Sequence, residues 1–363
     1  MFNVRVVTRC WAIGAIAIMT QCSPTKKESS NQEIAHETPS KKGVAGTAFD
    51  PAMGWVDVLD PALEKLISKD AKIEVLSQGY TWTEGPVWVE EGGYLLFSEI
   101  PKNTVWKWSS KDSVSLYLNP SGFSGPDARE GESGSNGLFI NKMGQLLLCQ
   151  HGDRVLGVMD SDLSNPVAEY IALADNYNGK RFNSPNDLDI HSSGNIYFTD
   201  PPYGLEKLME DPAKELDFQG VYKWSAQDST VQLLYKDLSR PNGIALSLDE
   251  KTAYVANSDT ARVVWMAFDV MNDGSFANER TLYDATQMAK EQFPELGMPD
   301  GLEIDATGNI YATGPGGVWI FSKEEKLLGR IITGQKTANC TIGGDGFLYM
   351  TAHSYLLRIP LKS

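Results

Sequence analysis

The chain has 363 residues, 32 Lys plus Arg against 47 Asp plus Glu, 42% hydrophobic residues and 33 Gly. That is a globular composition, and a net charge of −15 with no Lys/Arg run longer than two excludes a nucleic-acid binder, which needs concentrated cations. Nine Trp, 14 Tyr and the many Gly favour short strands joined by tight turns over long helices.

Residues 1–9 carry Arg5 and Arg9, and residues 10–19 are apolar but too few to span a bilayer, which is the pattern of an export signal. Thr20-Gln21-Cys22 then places Cys22 where a bacterial lipoprotein is cleaved and lipidated. Residues 1–22 are therefore expected to direct export, to the periplasm or to a membrane through a lipid on Cys22, with simple secretion as the alternative. Residues 23–50 are polar and aperiodic, a flexible tether, and 51–363 form the folded domain. Cys149 and Cys340 sit in apolar runs and read as buried hydrophobes, and no Cys/His spacing suits a thiolate zinc site.

From residue 84 onward one pattern recurs six times: a polar start, an apolar run, a Gly or Asp turn and a second apolar run. The starts are Glu84, Asn136, Asn186, Asn242, Asp300 and Asn339, spaced by 52, 50, 56, 58 and 39 residues. Further apolar or alternating runs follow in each repeat, giving four short strands per unit. Such units cannot bury their faces alone, and stacking six of them predicts an all-β, six-bladed β-propeller of four-stranded antiparallel blades. Two stacked sandwiches would not explain six matching units. The last repeat offers only three strands, so residues 72–76 are expected to pair with 355–361 and close the ring.

The start of a first strand and the end of a second lie at the same end of a blade, so each repeat delivers two positions to one face. The first series, Glu84, Asn136, Asn186, Asn242, Asp300 and Asn339, consists wholly of carboxylates and amides. The second is Glu99 (or Ser98), His151, Asp200, Ser258, Gly314 and His353. Asn-Gly and Asp-Gly are ordinary turn dipeptides, but turns accept Gly or Ser equally well, whereas six oxygen donors on one face suit a hard divalent cation.

Glu84-Gly85-Pro86, Ser184-Pro185-Asn186-Asp187, Pro241-Asn242-Gly243 and Pro299-Asp300-Gly301, with Gln150-His151-Gly152 and Phe198-Thr199-Asp200-Pro201-Pro202-Tyr203-Gly204, resemble the signature segments of the gluconolactonase, regucalcin (senescence marker protein) and related lactonase family of six-bladed propellers. The resemblance runs from about residue 61 to the C-terminus. It implies a lactonase with one divalent cation, Ca2+ first, with Mg2+, Mn2+ or Zn2+ as alternatives, held by Glu84, Asn186, Asn242 and Asp300. Asp300 would double as the base that activates water. Asn136 and Asn339 would then line the cavity or bind substrate, with His151 and Asp200 beside them. Regucalcin-like members carry an Arg where Ser184 stands, and Arg181 or Lys180 is expected to replace it.

Lactone hydrolysis needs an electrophile on the carbonyl oxygen, a delivered water and a stabilised oxyanion, which a cation and a neighbouring carboxylate can provide. His151 reads equally as a proton shuttle or as a packed loop residue, and His353 has the same two readings. Long connections at 119–135, 174–185, 204–219 and 285–299 fall on the face of the polar series, and 205–216 is expected to form a short charged helix over it. Two other functions stay open: hydrolysis of phosphotriesters or other esters at the same site, and a non-catalytic propeller binding protein or glycan. A GxSxG elbow and a phosphate-cradling Gly loop are both absent from the sequence.

Overall fold

A computed structural model describes residues 53–127 and 129–362. The export signal, Cys22 and the tether lie outside the described residues. Six antiparallel sheets, five of four strands and one of five, are arranged as blades, each meandering outward from an innermost strand. The innermost strands are Thr83–Val89, Ser135–Ile140, Leu188–Ile190, Pro241–Leu246, Leu302–Ile304 and Thr337–Ile342, in blades one to six. Each second strand is almost wholly buried, Tyr94–Glu99 and Leu146–Gln150 for example, so these segments read as near-continuous apolar runs. The six-bladed propeller expected from the repeats is the fold observed.

Ring closure follows expectation with a shift of two residues: Glu74–Gln78 pairs antiparallel with Tyr355–Pro360 as the outer strand of blade six. Glu74 faces Arg358 in that register and accepts its Nε–H at 2.8 Å. An unforeseen strand, Trp55–Val58, adds a fifth member to blade five beside Leu327–Ile332. Val56, Leu63, Ile67 and Ile73 of this leading segment are buried with Ile320, Ile331 and Leu357, sealing the junction of blades five and six. Each such side chain contributes roughly 1.5–3 kcal/mol of burial.

The polar-Gly dipeptides are not turns. Glu84, Asn136, Asn242 and Asn339 lie within innermost strands, all four where the pairing register slips, between Glu84 and Val87, between Ser135 and Leu138, between Pro241 and Ile244 and between Thr337 and Asn339. Such bulges re-aim a side chain, here toward the ring axis. The glycine that follows lets neighbouring blades touch: a Cβ on Gly85 would sit 2.0 Å from Asn136 O, and one on Gly243 would sit 2.0 Å from Asp300 O. Ser98 locks the first contact by donating to Asn136 O at 2.9 Å, and Thr199 ties blade three to blade four in the same way by donating to Asn242 O at 2.6 Å.

At the other end of the axis a chamber of ≈ 320 Å³ is lined by Asp187, Asp189, Glu303, Asn339 and Cys340, among others. Cys149 and Cys340 are free and buried, as expected. Burial pushes the Glu303 carboxyl up to about 7, although Thr341 Oγ1 donates to it at 2.8 Å. A carboxyl raised by folding stays protonated while its unfolded counterpart ionises, so its contribution to stability falls as pH rises from about 4.5 to about 7. Glu303→Gln is therefore expected to gain stability relative to wild type at pH 8, by about 1–3 kcal/mol, and to show little gain at pH 4. Urea midpoints at both pH values measure this; equal effects at the two would exclude the burial account.

Candidate active site

The opposite face opens into a cavity of ≈ 870 Å³ whose lining includes Glu84, Asn136, Asn186, Asn242 and Asp300. Five of the six first-series residues thus meet there. Asn186 and Asp300 precede their short innermost strands and are held by backbone bonds to the second strand, from Asn186 N to Thr199 O at 2.9 Å and from Asp300 N to Thr313 O at 3.1 Å.

The carboxylate of Glu84 is buried and accepts from Gly85 N at 3.2 Å and from the Trp82 side chain. Burial, and then the charges of Asp187 and Glu132, push its pKa well above the ordinary range. Asp300 is driven the same way by burial and by Glu84, Asp187 and Glu132. A divalent cation between two crowded carboxylates of this kind would offset their repulsion and restore their ionisation. Asn242 Nδ2 donates to Ser258 Oγ at 2.9 Å, and Ser258 donates in turn to Pro299 O, fixing the amide's rotation beside Asp300. Asn186 Oδ1 is buried without a hydrogen-bond partner. An orphaned amide oxygen is costly unless something binds it. Two carboxylates and two amides fit a hard divalent cation; among the described residues no group of three or more His, Cys, Asp and Glu is placed to hold one.

Four of the sequence-derived substrate residues are not at the cavity wall. Asn339, the sixth first-series residue, turns to the far chamber, where its amide bonds Asp187, the residue that occupies the glycine position of the third repeat. Asp200 is fully buried and accepts from Asn183 N at 2.8 Å and Ser184 N at 2.7 Å, so it organises the Ser184–Asn186 approach instead of meeting substrate. Arg181 is exposed on a two-residue hairpin strand and donates to Asp153 O at 2.7 Å; Lys180 lies on the same strand, so neither replaces the family arginine at the cavity. His151 has no exposed surface and stands behind Asn186. His353 packs edge-on against Trp82, their ring centroids 5.4 Å apart.

The cavity also gathers Trp82, Glu132, Tyr203, Arg240, Lys290 and Lys336, which sequence reasoning did not single out. Their signal was present in part: Glu132 and Lys290 lie in two of the long connections, and Tyr203 belongs to the Phe198–Gly204 motif. The guanidinium of Arg240 lies 5.7 Å from the centroid of the Tyr203 ring. Burial and then the charge of Asp300 raise the Tyr203 pKa, so its hydroxyl stays a donor at neutral pH. One short helix, Thr286–Gln292, and the residues after it form a side wall with Ala289, Phe293, Pro294 and Met298. By contrast, 205–216 makes only a single 3-10 turn, Leu208–Glu210, and Pro212 stops its continuation.

Residues 82–354 match the family model described as the SMP-30/Gluconolactonase/LRE-like region. A gluconolactonase of Zymomonas mobilis is 39% identical over 334 residues, covering 90% of this chain and 91% of the relative. Regucalcin of Xenopus laevis is 28% identical over 290 residues, covering 77% and 86%. The solved structure of a gluconolactonase from Xanthomonas campestris superposes with a TM-score of 0.70 at 29% identity, over 86% of this chain and 98% of the other. With the family model spanning most of the folded domain and its signature carboxylates and amides converging on one cavity, the chain belongs to the SMP-30/gluconolactonase/LRE-like family.

Proposed function

We propose that this protein is a cation-dependent lactonase that opens a sugar lactone such as glucono-1,5-lactone. The observation that carries the reading is the meeting of Glu84, Asn186, Asn242 and Asp300 at one cavity, with the Asn186 oxygen buried and unpartnered. Those four residues would hold one divalent cation, with Ca2+ favoured by the all-oxygen donor set. When bound, the cation supplies Lewis acidity for the lactone carbonyl and charge to offset the oxyanion. Asp300 accepts the proton of the attacking water, since its carboxylate reaches both the ligand cluster and the open cavity. Asn136 and Arg240 offer donors to ring hydroxyls, and the Tyr203 hydroxyl can protonate or steady the leaving oxygen. Export by residues 1–22, with lipidation at Cys22 or plain cleavage, belongs to the same reading and rests on the N-terminal sequence; the intact mass of the mature protein distinguishes the two.

The test is a panel of lactones, aryl esters and phosphotriesters assayed with Ca2+, Mg2+, Mn2+ and Zn2+ after exhaustive chelation. Lactone turnover that disappears with chelation and returns with a cation is expected. Undiminished turnover after chelation would sink the cation, and turnover of phosphotriesters in preference to lactones would sink the substrate class. Saturation at a hundred times Kd should also stabilise the fold by about 2.7 kcal/mol, read as a rise in Tm.

A further inference from the structure

Behind the cavity wall, three side chains from three parts of the chain line up. His151, at the end of the second strand of blade two, is fully buried. Its Nε2 lies 3.4 Å from Asn186 Nδ2, and its Nδ1 lies 3.3 Å from Glu132 Oε2. Nδ1 makes no hydrogen bond of ordinary geometry, and neither does Asn186 Oδ1. Both ends of the chain Glu132–His151–Asn186 are thus poised but slack. The segment that carries Glu132 is stapled in place by Arg129, whose two terminal nitrogens donate to Gly152 O at 2.7 Å and Gly204 O at 2.8 Å. Those carbonyls belong to the residue after His151 and the residue after Tyr203, so one arginine ties together the loops that build this side of the site.

We propose that His151 is a positioning residue for Asn186, and that Glu132 sets its tautomer. A carboxylate facing Nδ1 selects the imidazole with its proton on that nitrogen. Nε2 is then an acceptor, and the only group Asn186 can present to it is its Nδ2–H. The amide oxygen must therefore face the cavity, which is the orientation a cation ligand needs. The relay does by hydrogen bonding what Ser258 does for Asn242 within blade four, where a hydroxyl takes the Nδ2–H at 2.9 Å. His151 occupies in blade two the second-series position that Ser258 occupies in blade four, but it serves the amide of the following blade. Outer partners of this kind change cation affinity by about 10–100-fold when removed.

The inference rests on Asn186 being a cation ligand, and a double-mutant cycle on the full folded domain separates the two claims. Ca2+ affinity is measured by calorimetry, with Tb3+ luminescence as a second probe, for wild type, His151→Leu, Asn186→Ala and the double variant. His151→Leu is expected to weaken binding about tenfold or more. In the Asn186→Ala background the same change should alter affinity by less than about twofold, because its effect passes through the missing amide. His151→Gln, which keeps an acceptor, should recover most of the loss, and Glu132→Gln should weaken binding less than His151→Leu. Additive losses, or full affinity in His151→Leu, would overturn the positioning role. An Asn186→Ala variant that binds as wild type removes the ligand assignment itself and this inference with it. Should His151→Leu fail to fold, Glu132→Gln in the two Asn186 backgrounds gives the same cycle.

Discussion

Asp300→Asn is expected to lower kcat for lactone hydrolysis by about a thousandfold or more, since a positioned general base is worth 10²–10⁴-fold and the same residue is a ligand. The substitution keeps an oxygen at the site and removes a negative charge from beside Glu84, whose raised pKa reflects a crowd of buried acids. In chelator the variant should therefore melt no lower than wild type, and its cation affinity should fall. The deciding measurement is kcat at saturating cation. A base cannot be replaced by more metal, so the deficit should persist; restored turnover would reduce Asp300 to a ligand and reassign the proton acceptor, with Glu132 at the same cavity as the next residue to test.

Gly85→Ala should be among the most disruptive single-methyl changes at the described glycines, costing about 3 kcal/mol or more. Gly85 has φ +47° and no room, its missing Cβ falling 2.0 Å from a backbone oxygen of the next blade. Gly93 provides the control, with φ +59° and nothing within 4 Å of the added carbon. Gly93→Ala pays only the left-handed backbone penalty of about 1–2 kcal/mol. Denaturant midpoints for the two variants give the difference directly. Equal losses would mean that blade-to-blade contact at the axis is compliant, contrary to the close approach of Gly85 and Asn136. Because Glu84 and Asn136 flank this contact, Gly85→Ala should also depress catalysis in whatever fraction remains folded.

The blades were legible because six repeats carry the same alternation of apolar runs and turns, and ring closure was legible because the last repeat is one strand short. The convergence of Glu84, Asn136, Asn186, Asn242 and Asp300 on a cavity followed from their shared position in the repeat. The same logic misplaced Asn339. Repeat position fixes where a backbone lies, but the side chain follows its hydrogen-bond partner, and Asp187 in the third repeat draws that amide down the axis. Asp200 and His151 also stand at the end of a second strand, where backbone amides hold one and Asn186 faces the other. Arg240 and Glu132 lie just outside the repeated positions, on connections whose course only tertiary packing determines. Thr286–Gln292 is a seven-residue helix, too short for a periodic pattern to distinguish it from a loop.

The strand Glu74–Gln78 has a meaning in time as well as in space. Four blades are built wholly from contiguous chain and can assemble in the order they are synthesised, whereas blade five also takes in Trp55–Val58 and blade six needs Glu74–Gln78 to wait for Tyr355–Pro360. Loop-closure entropy makes so distant a pairing slow relative to the hairpins around it. Until the last strand arrives the unfinished ring exposes strand edges, and a product truncated before Tyr355 would keep them permanently, open to pairing with another copy. The closing strand thus acts as a check on synthesis: the ring is sealed only when Tyr355–Pro360 has been made.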